Sequence, residues 1–178
     1  AIEVLNGNGP KDLREVCVAL ASNIISLSEN LPLEEAEKEV RRVLSDGTAL
    51  LKLCEMVKMQ GGSVAQIADP ELLPKARFSH DVLSPADGFI SFMDAEKIGS
   101  SSVILGAGRV NKGDPIDCTA GIILEKKTGE AVKKGELLAT LFSNDEAKFE
   151  DSEKLFLSAF RFSDEKPQPV PLIYKTVR

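Results

Sequence analysis

The sequence predicts an α+β protein in two units, a three-helix segment followed by a small, mostly antiparallel sheet domain. Three observations point to it. Apolar residues recur at three- and four-residue steps through about residue 62, as on helix faces. Pro70 and Pro74 then punctuate a connector. From about Phe78 the pattern changes to short β-runs separated by glycines, which a compact sheet with tight corners requires. The boundary falls near residue 75, giving expected domains 1–75 and 76–178.

In the first domain, Pro10 follows Asn8-Gly9 where a first helical turn tolerates a missing N–H. Leu13, Val16, Cys17, Leu20, Ile24 and Leu27 are expected to form one buried stripe. Asn30 and Pro32 end that helix and start another. Its polar face runs from Glu34 to Arg42, and its apolar face carries Ala36, Val40, Val43 and Leu44. Asp46-Gly47 is a stop signal, since Gly47 can take the left-handed cap conformation. Leu50, Leu53, Cys54 and Val57 mark a third helix, closed by Gly61-Gly62. Three short helices with apolar residues on two sides make a thin core, so a larger body is expected to cover them.

In the second domain, strands are expected in VLSPADGFISF, SSSVILGAGR, PIDCTAGIILEKK and ELLATLF, with a helical insert at 93–98. A helix from about Asp145 should carry Phe149, Phe156, Ala159 and Phe160 on one face. The tail PQPVPLIYKTVR reads as proline-rich and then as an edge strand.

Composition narrows the function classes. Hydrophobic residues make up 43% of the 178 and charged residues 28%, a globular balance. A net charge of −6 with 5% aromatics and no Trp argues against a nucleic-acid groove. No apolar run reaches the roughly 20 residues a membrane helix needs. The opening AIEVLNGNGPKD lacks a basic start and an apolar signal core, so a cytoplasmic setting is expected. Cys17, Cys54 and Cys118 read as free thiols, neither a disulfide frame nor a zinc site.

Few residues invite chemistry. His80 lies near Arg77 and Asp81, but one histidine without a partnered nucleophile reads as a surface or hinge residue. The acidic runs 34–39 and 145–153 read as solvated helix faces. GAGRVNKGD (106–114), with Arg109 and Lys112, offers a phosphate cradle on one reading and a β-turn on the other. It lacks the GxxxxGK[ST] spacing, which favours the turn. The segment 120–142 resembles the second half of biotinyl and lipoyl carrier domains. Lys126-Lys127 and Lys133-Lys134 are out of frame with a modified-lysine tip, so a shared hammerhead-like scaffold is favoured over a stand-alone carrier or binding module.

Taken in order, GNGPKDLREVCVAL (7–20), LPKA (73–76), SPADGFI (84–90), LGAGR (105–109), DPIDCTAGI (114–122) and KKTGEAVKKGELLATL (126–141) resemble the pyrimidine-nucleoside and thymidine phosphorylases. The bacterial pyrimidine-nucleoside branch is most similar, and the resemblance covers essentially the whole chain. It implies an enzyme that exchanges the base of uridine, thymidine or deoxyuridine for phosphate. The products are the free pyrimidine and ribose- or deoxyribose-1-phosphate.

The family's Lys-His-Ser-Thr-Gly-Gly and Ser-Gly-Arg-Gly-Leu segments do not occur here. The resemblance therefore implies the C-terminal portion of such an enzyme: the end of its large α/β domain (1–75) and a C-terminal hammerhead-type domain (76–178). It assigns no catalytic, cofactor-binding or metal-binding residue to this chain, which should be inactive alone. Phosphate as co-substrate and a potassium ion are expected in the complete enzyme, with the N-terminal catalytic half as partner, in a homodimer. No nucleic-acid or membrane partner is expected. The loop 105–121, with Arg109, is expected to line the outer wall of the cleft. A separately encoded paralogue that docks on a catalytic partner is the remaining alternative.

Overall fold

A computed structural model describes residues 1–177. By backbone contacts the chain divides into two compact units, 1–73 with the tail 171–177, and 74–170. The tail was assigned by sequence to the second domain, but its contacts place it with the helices.

Unit 1 is helical: α1 (Ile2–Leu5), α2 (Lys11–Glu29), α3 (Leu33–Ser45), α4 (Thr48–Met59) and α5 (Ala65–Ala68). Asn30 ends α2 in the left-handed conformation at φ 54°, and Gly47 separates α3 from α4 at φ 82°. The Ser26 hydroxyl donates to the Leu31 carbonyl at 2.7 Å, tying the α2–α3 corner. Helix α3 buries Ala36 and Val40, while Arg41 pairs with Glu37 and Arg42 with Glu39 and Asp46 on its exposed side. Exposed pairs of this kind add little stability each. The acidic run 34–39 is thus a solvated face.

The expected buried stripe of α2 is not buried. Leu20, Ile24 and Leu27 are 61%, 66% and 82% exposed, and Leu13 and Cys17 are also exposed. Val18 and Ser22 are the buried positions instead, with the Ser22 hydroxyl donating to the Val18 carbonyl at 2.7 Å. The helix is apolar on two sides. Its 18/22 side is turned inward, while the broader leucine–isoleucine side stays open.

Unit 2 holds two three-stranded antiparallel sheets. One is ordered β1 (Phe78–Leu83), β5 (Leu137–Ser143), β3 (Gly121–Leu124); the other β4 (Ala131–Val132), β2 (Gly88–Met93), β6 (Phe160–Ser163). Helices α6 (Ala95–Ser102) and α7 (Phe149–Leu157) complete it. One core joins both sheets and α7: Val82, Ile90, Val132, Leu138, Leu141 and Phe156 lie in it, with Leu105 from the turn after α6. The α+β class follows directly.

Three sequence expectations fail, two in unit 2 and one in the tail, each for a local reason. SSSVILGAGR is no strand but the end of α6 and a widened helical turn, Val103–Ala107. The Asp94 carboxylate caps α6 by accepting from the Glu96 and Lys97 amides, and the Ser101 hydroxyl returns to the Lys97 carbonyl. That cap decides the helix before the apolar Val-Ile-Leu run begins. The last helix stops at Leu157, and Phe160 opens β6 opposite Met93. Phe156 and Phe160 still meet, with ring centroids 4.9 Å apart, so their four-residue spacing imitated a helix face. The tail forms no strand among the described residues 164–177. Pro167, Pro169 and Pro171 remove amide donors from it, and Arg178, the last residue of the expected strand, lies outside the described residues.

Three turns share one design. Asn111–Asp114, Lys127–Glu130 and Lys133–Glu136 each carry glycine third, at φ 102°, 91° and 84°. In each, the fourth residue's amide donates to the first residue's carbonyl, at 3.2, 3.2 and 2.9 Å. Its carboxylate accepts from the first residue's amide, at 2.7, 2.5 and 2.8 Å. A β-carbon at the glycine would strain the positive φ on which this closure depends.

Phe156 is fully buried where both sheets and α7 meet. Phe156→Ala should cost unit 2 about 3–5 kcal/mol in urea unfolding followed by circular dichroism. A loss below about 1 kcal/mol would show that the site collapses around the gap.

Candidate functional site

His80 stands in β1, not in the connector. Strand alternation turns it to the core side, opposite Leu141, and turns Asp81 to the other face. Asp81 accepts from the Thr140 hydroxyl at 2.9 Å and so cannot orient the imidazole. The ring instead stacks on Phe149 (5.4 Å between centroids), with Nε2 2.9 Å from Glu153 Oε2. This is a tie between β1 and α7 with no nucleophile attached.

The run 106–114 closes on itself. Asn111, Lys112, Gly113 and Asp114 make the tip turn, and Arg109 Nε donates to the Asp114 carbonyl at 3.1 Å. The turn reading therefore holds, and Arg109 remains an exposed cation beside the tip. Val110 and Ile116 project from the same loop, 77% and 47% exposed. The Lys126 ammonium is paired with Glu136 at 2.6 Å, which raises its pKa. Lys134 follows in the β4–β5 turn, its amide donating to Asp87. None of these lysines caps a carrier-type hairpin.

Below the loop lies a polar cluster that sequence reasoning missed. Asp117 Oδ1 accepts from the Thr119 hydroxyl at 2.6 Å and the Thr119 amide at 2.9 Å, and Oδ2 accepts from Asn144 Nδ2 at 2.8 Å. The Thr119 hydroxyl, then its amide, then Asn144 hold the Asp117 carboxyl below its usual 3.8. The Asp-x-Thr spacing was a visible signal for this turn, but Asn144 comes from the far end of β5. Beside the cluster a shallow hollow of about 590 Å³ runs over the open face of the sheet, between Lys75, Arg77, Ser79, Gly121 and Phe142.

In unit 1 the open side of α2 forms a second hollow, of about 670 Å³, with the tail residues Leu172, Ile173 and Tyr174 along it. Helix α4 adds exposed Leu51, Met56 and Met59. Both helices thus leave large apolar side chains in solvent. Among the described residues no three His, Cys, Asp or Glu side chains meet to hold a metal ion, and no helix is long and apolar enough to cross a membrane.

Residues 89–163 match the family model of the pyrimidine nucleoside phosphorylase C-terminal domain. The chain is 37% identical over 178 residues to a pyrimidine-nucleoside phosphorylase of Geobacillus stearothermophilus, covering 99% of this chain and 41% of that relative. It is 41% identical over 147 residues to the Bacillus subtilis pyrimidine-nucleoside phosphorylase, covering 82% and 34%. The Staphylococcus haemolyticus protein of the same name is 42% identical over the same length. The chain thus spans between 34% and 41% of the length of these relatives. Nothing in these similarities supports the carrier alternative.

Two outcomes check the surfaces. A carboxylate held below its usual pKa stabilises above that value and loses its contribution as pH falls through the lowered one. Thr119 amide protection should therefore fall as pH drops below 3.8, the usual Asp117 value; equal protection across that range would remove Asp117 as the holder. On α2, Ile24→Ser should reduce hydrophobic-dye binding and self-association while changing stability by less than about 0.5 kcal/mol. A large stability loss would mean that the face is packed in solution.

Proposed function

Because the chain belongs to the pyrimidine-nucleoside phosphorylase family, as a stretch of its members' C-terminal portion, we propose that it supplies scaffold and cleft wall to such an enzyme and none of its catalytic groups. The observation that carries this reading is a match along 99% of the chain to a relative of which it covers 41%. The open apolar sides of α2 and α4 support it, because they offer the remainder of the polypeptide a surface to pack on.

In the complete enzyme the bond between C1′ of the sugar and the pyrimidine nitrogen breaks, its electron pair leaving with the base. A phosphate oxygen bonds to C1′, and the departing base takes up a proton. Charge builds on the sugar ring and on the base, so the site needs fixed dipoles, cations and closure against water. The described residues contain no nucleophile–base pair to drive these steps. Their part is to present a braced loop, 105–121, to the cleft and to bring Arg109 there as a cation. A monovalent cation in the complete enzyme belongs to the same reading, with its ligands assigned to the remainder of the polypeptide. A hammerhead-type second domain, a homodimer and a cytoplasmic setting belong to the same reading.

The 178-residue chain should release no uracil from uridine in phosphate buffer, whereas the complete polypeptide should do so only when phosphate is present. Uracil release by the chain alone would overturn the scaffold reading. Release by the complete polypeptide without phosphate would make it a hydrolase.

A further inference from the structure

The connector at 74–77 and the loop 108–116 are distant in sequence, yet two consecutive residues at the end of β5 hold both. The hydroxyl of buried Ser143 donates to the Leu105 carbonyl at 2.9 Å, fixing the near side of the loop's base. On the far side, the Asp117 amide donates to the Gly106 carbonyl at 2.9 Å. The Asn144 side chain then joins that base to the connector. Its Nδ2 donates to Asp117 Oδ2 at 2.8 Å and to Thr119 Oγ1 at 2.9 Å, while its Oδ1 accepts the Arg77 amide at 2.9 Å. An amide carries its donor and its acceptor on separate atoms of one planar group, whereas a carboxylate only accepts and cannot make both connections.

We infer that Asn144 is a positioning latch coupling the connector to the loop base, so that loosening either one loosens the other. The chain of contacts runs from Gly106 through Asp117 and Asn144 to Arg77, with no break. The loop's tip turn is closed within itself, and this base is where the loop meets the sheet. A pull on the connector reaches the Arg77 amide first and passes through one side chain to Asp117. The inference stands on these bonds and does not need the phosphorylase reading. Were that reading also to hold, the latch would join the cleft-lining loop to the segment that leads into unit 2.

The test is residue-resolved amide exchange on the 178-residue chain. Asp117→Ala removes no atom that touches the connector, yet the Arg77 amide should exchange about fivefold faster, as the loss of one net hydrogen bond permits. In the other direction, Asn144→Leu should speed exchange of the Asp117 amide, which closes the loop base on the Gly106 carbonyl, by a similar factor. The amides of 139–141 in β5 should keep their protection in both variants, which shows that the sheet stays folded. An unchanged Arg77 amide in Asp117→Ala, or an unchanged Asp117 amide in Asn144→Leu, would overturn the coupling. Should Asp117→Ala unfold the sheet, Thr119→Val gives the same reading through a smaller perturbation. It removes the one hydroxyl shared by Asp117 and Asn144 and should quicken Arg77 exchange about twofold; no change there would overturn the latch.

Discussion

Strand β5 is the element on which the rest of unit 2 is registered. It pairs with β1 on one side and β3 on the other, and it sends Leu138, Ala139 and Leu141 into the core. A central strand with neighbours on both edges cannot slip by one residue without turning its apolar set outward. Its end then does further work: Ser143 holds Leu105 and Asn144 holds Asp117 and Arg77. The loop and the connector therefore inherit their positions from the register of one strand.

Unit 1 is governed by the opposite condition, a surplus of apolar surface over partners. Helix α2 turns Val18 and Ser22 inward and leaves Leu20, Ile24 and Leu27 in solvent. Helix α4 has no buried residue at all. The tail along α2 leaves Tyr174 and Val177 largely exposed. Burial of such side chains is worth roughly 1.5–3 kcal/mol each, so a body that covers this face would gain substantially.

The histidine and the arginine that the sequence singles out both make structural contacts. His80, the one histidine, serves as a tie between β1 and α7, and Arg109 belongs to a loop closed by its own backbone and carboxylate contacts. The groups that look reactive in isolation are occupied in holding the fold. What remains available is shape: a braced loop, a shallow hollow over Phe142, and an open helix face.

Much of this was legible in local patterns, because caps, turns and repeats depend on neighbouring residues. Asn30 and Gly47 end helices where expected, and glycines between the β-runs, Gly129 and Gly135 among them, take the tight corners at positive φ. The motif order was enough to name the family. Three-dimensional competition decided the rest. Periodicity shows that α2 is apolar but not which of its two apolar sides is covered, since that depends on what packs against it. The cap at Asp94 made a helix of a run that looked like a strand, and pairing with Met93 made a strand of Phe160, which looked helical. The Asp117–Asn144–Arg77 chain joins residues brought together only when β5 lies beside β1 and β3. By itself, the sequence determined the class, the corners and the family; the choice of buried face and the latch were decided by packing and long-range hydrogen bonds, which form between segments that no local pattern relates.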